Sequence, residues 1–93
     1  MADAERDTAE DVVRKVLAAW KTRHHLTNAE VRVLEHLIRG LSNKEIAHRL
    51  GKSTSTVRTQ VGTVLKKIRI DSRVRVIYKV LRESHADTSP APS

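Results

Sequence analysis

Val12, Val13, Val16, Leu17 and Trp20 recur at helical spacing, so Asp3 to about Lys21 reads as an amphipathic helix. Acids crowd its first turns, where they favour the positive end of the helix dipole. Thr27-Asn28-Ala29-Glu30 has the form of a capping box, in which the Thr27 hydroxyl accepts from the Glu30 amide and the Glu30 carboxylate reaches back to Thr27. A helix therefore starts there, with Val33, Leu34, Leu37 and Ile38 on its apolar face and Gly40 as the left-handed residue that ends it. Ser42-Asn43-Lys44-Glu45 repeats the box and opens a short helix that buries Ile46, Ala47 and Leu50 and stops at Gly51.

Ser53 caps the next helix, which runs over about 54–68. Val57, Val61, Val64, Leu65 and Ile68 fall within an arc of about 100° at 3.6 residues per turn. Ser55, Thr59, Gly62, Thr63 and Lys66 occupy the opposite arc. Arg69-Ile70-Asp71 breaks the pattern and Ser72 caps a last helix. There Val74, Val76, Ile77, Tyr78, Val80 and Leu81 spread apolar surface around more than half the circumference, more than one core contact requires. Val76 and Val80 lie away from the Val74, Ile77 and Leu81 side and are expected to form a dimer seam, unless the N-terminal helix covers them through Trp20. From His85 on, HADTSPAPS reads as a disordered tail.

These elements define an all-α fold, and 93 residues leave room for one small core built from aliphatic side chains, since there is no Phe. With no Cys there is neither a disulfide nor a thiolate metal site, and His24, His25, His36, His48 and His85 show no ligand spacing. No acid/base pair, nucleophile with a base, or phosphate-cradling Gly loop points to catalysis or a cofactor. No apolar run suits a membrane and the acidic start does not suit a signal peptide, so a cytoplasmic, nucleoid-associated location is expected.

Charge changes the picture more than composition does. The net charge is +7, yet Met1 to Asp11 carries a net −4 (Asp3, Glu5, Asp7, Glu10 and Asp11 against Arg6). Between Lys52 and Lys79 there are eight cations and only Asp71, a field that attracts a polyanion. It falls on a short helix, a tight Gly-containing turn and a second helix with a small, polar, cation-edged outer face. That arrangement suits a helix-turn-helix whose second helix reads the major groove, with Ala47, Gly51 and Val57 at its packing positions.

The run from Leu26 to Val74 carries LTxxE (Leu26–Glu30), GxSNKEIAxxL (Gly40–Leu50) and SxxTV (Ser53–Val57), with Lys67 and Arg73 six apart. It resembles the LuxR-type (GerE, NarL/FixJ-like) DNA-binding domain, here in stand-alone form, over about Leu26 to Leu81. The resemblance implies four helices, preceded in this chain by the additional N-terminal one. The expected division is an N-terminal helix and linker at 1–25, the helix-turn-helix domain at 26–84 and the tail at 85–93. It also implies that the third helix enters the groove, that the fourth commonly makes a two-fold contact, and that Arg58, Thr59 and the Gly62 site meet base edges. Asn43, Lys44, Ser53, Thr54, Thr56 and Lys67 are implied phosphate contacts.

Two departures bear on specificity. Gln60 stands where relatives usually carry His, and Gly62 occupies the centre of the reading face, where it offers no side chain and costs about 1 kcal/mol relative to Ala. Either the backbone approaches DNA closely there or the position has drifted. Base choice is then expected to rest on Arg58, Thr59, Gln60, Thr63 and Lys66, with Arg58 suited to bidentate pairing with guanine and Gln60 better suited to a structural or phosphate-facing role. Lys52, Lys66, Lys67, Arg69, Arg73 and Arg75 read as charges that position the DNA backbone. The expected function is a sequence-specific, dimeric transcriptional regulator of double-stranded DNA. The alternative is an adaptor of the same fold that acts on another regulator or on RNA polymerase.

Overall fold

The computed structural model describes residues 9–88. They form α1 (Ala9–Arg23), α2 (Asn28–Leu37), α3 (Asn43–Leu50), α4 (Thr54–Ile68) and α5 (Arg73–Thr88), with no strand among them. The start of the first helix expected at Asp3 lies outside the described residues; Glu10 and Asp11 supply the acids of its first described turn.

Side chains fix the helix starts. The Glu30 amide donates to Thr27 Oγ1 (3.1 Å) and the Thr27 amide to Glu30 Oε1 (2.9 Å). Ser42 and Glu45 repeat the exchange at 3.1 and 2.8 Å, so each box satisfies two amides that the first turn would leave unpaired. Ser53 accepts from the Thr56 amide at 3.0 Å. Gly40 and Gly51 take φ of 86° and 67°, the left-handed conformation that lets the chain leave α2 and α3 abruptly. Arg69 caps α4 in the same region, at φ 61°, although it carries a side chain.

One core joins all five helices. Trp20, Val33, Leu34, Ile46, Val57, Val64 and Val76 are sealed from solvent, and Leu17, Leu37 and Val80 nearly so. α3 packs on α4, α2 on α4, and α1 on α5.

This packing corrects the expected dimer seam. Val76 and Val80 are 0% and 1% exposed, whereas Val74, Tyr78 and Leu81 are 74%, 64% and 48% exposed. The apolar arc of α5 is too broad for periodicity to say which half turns inward. α1 decides it: Leu17 and Trp20 join the cluster that holds Val76 and Val80, leaving the Val74 side in water. The Trp20 indole N–H donates to Glu83 Oε1 (2.7 Å), which locks the two helices together. The expected tail is corrected as well: α5 continues through 85–88, which hold no helix breaker, and 89–93 lie outside the described residues. Among the described residues no helix is long and apolar enough to cross a membrane.

Candidate nucleic-acid interface

α4 turns its valine side inward: Val57, Val61, Val64 and Ile68 are buried. Arg58, Thr59, Gly62 and Lys66 are exposed on the remaining surface, with Thr63 half-buried among them. α3 lies across the inner side and fixes the angle of α4 through Ile46 and Ala47. The surface thus presented is narrow and made of short side chains, with an arginine on one flank and a lysine near the C-terminal end. Thr63 directs its hydroxyl to the Thr59 carbonyl (3.1 Å), leaving oxygen lone pairs for an external donor. A Cβ placed on Gly62 would meet nothing within 4 Å, so no neighbour within the chain requires glycine at that position.

The expected phosphate contacts divide into open and occupied groups. Lys44, Ser53 and Thr56 are exposed, although the Ser53 hydroxyl is committed to the cap and donates to Thr56 Oγ1 (2.9 Å); Thr54 is half-buried. Lys67 is not an open cation. Its ammonium donates to Glu30 Oε1 (2.8 Å) and to the His25 carbonyl (3.2 Å), so it ties the end of α4 to the start of α2. Burial by itself pushes the Glu30 carboxyl up, but the Lys67 ammonium and the Thr27 groups outweigh it and hold the group below its ordinary range.

Asn43 and Arg73 also turn inward. Arg73 donates from Nη1 to Asn43 Oδ1 and from Nη2 to the Leu41 carbonyl, both at 2.6 Å, joining the start of α5 to the approach to α3. Lys52 donates to Gln60 Oε1 (3.3 Å), a bond across the turn between α3 and α4 that gives Gln60 a structural partner. In the sequence Lys52, Lys67 and Arg73 show only as charges, the last two also at motif positions, with Lys67 an implied phosphate contact. Their partners are carbonyls, a carboxylate from another helix and side-chain amides, none of which periodicity brings into view. Glu83 carries no such sign in the sequence; the lone indole N–H of Trp20, which needs an acceptor once buried, is the one signal that points to it.

A short helix, a left-handed glycine turn and a second helix with a polar, cation-edged face standing clear of the domain define a helix-turn-helix DNA-binding domain. The family described as bacterial regulatory proteins, luxR family, matches residues 24–80. The chain belongs to that family, whose helix-turn-helix serves DNA-binding transcription regulation.

The chain is 38% identical over 52 residues to the glycerol metabolism activator of Pseudomonas putida, covering 56% of this chain and 24% of that protein. It is 39% identical over 61 residues to the nitrate/nitrite response regulator protein NarP of Escherichia coli (strain K12), covering 66% and 28%. With the uncharacterized response regulatory protein YgeK of the same strain it shares 34% over 68 residues, covering 73% and 46%. The chain thus spans less than half the length of these relatives. No solved structure matches the chain significantly.

Proposed function

We propose that the protein regulates transcription by setting α4 in the major groove of duplex DNA, reading a roughly palindromic site as a two-fold dimer. One observation carries this reading: the side of α4 bearing Arg58, Thr59, Gly62 and Lys66 stands in solvent while its valine side is sealed by the preceding helices. Arg58 pairs with a guanine edge, Thr59 and Thr63 meet neighbouring bases, and the bare Gly62 backbone permits close approach. Lys44, Ser53, Thr54 and Thr56 face the phosphates that border the groove.

The dimer contact falls to Val74, Tyr78 and Leu81, spaced i, i+4, i+7 along one side of α5 and left in water by the fold. In this reading residues 26–84 carry recognition and the N-terminal helix acts as a wall of the core. The protein works in the cytoplasm at the nucleoid, without catalysis or cofactor.

Titration of a selected duplex and its scrambled counterpart at several salt concentrations tests the proposal. Log K should fall linearly with log salt, at about −0.9 per phosphate neutralised, with a clear preference for the selected sequence. Weak binding indifferent to sequence would sink it and point to an adaptor acting on another regulator or RNA polymerase.

A further inference from the structure

The cations around α4 are divided unequally. On the side facing α2 and α3, Lys52, Lys67 and Arg73 are each held by an acceptor of the protein itself. On the side facing α5 they are not. There the C-terminal half of α4 and the outer face of α5 enclose an open cleft of about 740 Å³, lined by Lys66, Arg69, Arg75, Lys79 and Arg82. All five are exposed, the one carboxylate lining the cleft is Asp71, and among the described residues no ion pair holds any of the five. Arg82 lies over the Tyr78 ring at 5.8 Å, a contact that leaves its charge unneutralised.

The cleft is also continuous with the reading helix. Leu65 and Arg69 follow Arg58 by 7 and 11 residues, which places all three along one flank of α4, and Leu65 and Arg69 line the cleft. A groove-bound helix has a phosphodiester strand on each flank. The α2–α3 flank offers helix starts, hydroxyls and the exposed Lys44, whereas the α5 flank offers a row of five exposed cations against Asp71, whose mutual repulsion an anion relieves.

We infer that this cleft is a second backbone site, in which Arg75, Lys79 and Arg82 hold the phosphodiester strand on the α5 side of the duplex. Arg58 begins the track at the base edges and the cleft continues it away from them. The inference rests on the reading of α4 as the groove helix, and it enlarges the phosphate-binding surface to Lys79 and Arg82, which lie beyond the helix-turn-helix itself. Because the cleft binds phosphate, it governs affinity and salt dependence and leaves base preference alone.

The triple variant Arg75→Gln, Lys79→Gln, Arg82→Gln tests this, with Arg58→Ala measured in parallel on the intact chain. All three side chains are exposed, so thermal unfolding should be unchanged. The triple variant should bind selected and scrambled duplexes at least tenfold more weakly, by equal factors. Its salt slope should be shallower by about 0.9 for each phosphate left without its cation, up to about 2.7. Neutral methylphosphonates placed in the strand flanking the half-site should weaken the wild-type protein but leave the triple variant nearly unaffected. An unchanged salt slope in the triple variant, alongside lost base preference in Arg58→Ala, overturns the cleft and leaves the groove reading intact. No sequence preference in the wild-type protein overturns both.

Discussion

The Lys67 ammonium lies 2.8 Å from the Glu30 carboxylate, in a bond that joins the last turn of α4 to the first turn of α2. Glu30 also completes the capping box of α2, so one side chain both starts α2 and anchors the last turn of α4. The Glu30 side chain is 11% exposed, and without Lys67 it would keep the Thr27 cap but lose its one counter-charge. Lys67→Met should therefore lower unfolding stability by about 1–3 kcal/mol, the usual cost of leaving a buried polar group without its partner. Its salt slope for DNA should stay at the wild-type value. Urea unfolding reads the first quantity and binding titrations the second; a shallower slope with unchanged stability would return Lys67 to the phosphate-binding surface.

The same carboxylate sets the acid limit. Its ordinary pKa is 4.5 and the folded protein lowers it, so on acidification the unfolded chain takes up the proton first. The stabilisation is present in full above that ordinary value and is lost as pH falls through the lower, folded one. Glu45, held down by the Ser42 amide and hydroxyl, acts in the same direction. Stability measured from pH 6 to pH 3 should decline, and Glu30→Gln should decline less steeply while starting lower. His24 acts at higher pH, near its ordinary 6.5: burial, with Arg23 beside it, pushes its pKa down, so protonation in that range also favours unfolding.

The wall supplied by α1 separates two kinds of substitution on α5. Val76→Asp places a charge in the sealed core and should unfold the protein or cost more than about 3 kcal/mol. Val74→Asp lies in water and outside the cationic cleft, and should leave thermal unfolding within about 0.5 kcal/mol while weakening self-association on a two-half-site duplex. Analytical ultracentrifugation with and without the duplex distinguishes them. Trp20, the chain's one tryptophan, reports on the wall directly: its emission should shift to the red as α1 separates from α5.

Much of this arrangement is legible in the sequence because it is local. Thr27 with Glu30, Ser42 with Glu45, and Gly51 act over three or four residues, so their spacing alone fixes the helix ends. The valine face of α4 is equally plain, since Val57, Val61, Val64 and Ile68 repeat at one period. What does not show is any choice settled by a distant partner. The inward half of α5 depends on Trp20, and the occupation of Arg73 and Asn43 by each other spans 30 residues of chain. A cation at a motif position can serve the fold as well as a phosphate, and only its acceptors tell which.

Arg58 and Lys44 should separate base reading from backbone holding. Both are exposed and neither is packed into the core, so their alanine variants should fold normally. Arg58→Ala should lose about 1–3 kcal/mol against the selected site and far less against scrambled DNA, which relaxes preference at one base pair. Lys44→Ala should weaken both alike and reduce the salt slope by about one. Equal losses on both duplexes for Arg58→Ala would reverse the two assignments.

Gly62 decides whether the centre of the reading surface is used. In the free protein a methyl group there meets no atom within 4 Å, and alanine favours the helix by about 1 kcal/mol, so Gly62→Ala should raise unfolding stability. If DNA reaches the bare backbone at that turn, the same methyl group lies between the helix and the base edges, and affinity for the selected duplex should fall tenfold or more. The two effects have opposite signs, so the weaker binding cannot be ascribed to a damaged fold. Thermal unfolding and duplex titration of this one variant measure both. A gain in stability with no change in affinity would mean that the groove does not approach this face of α4 closely, leaving recognition to Arg58 and its neighbours on the flank.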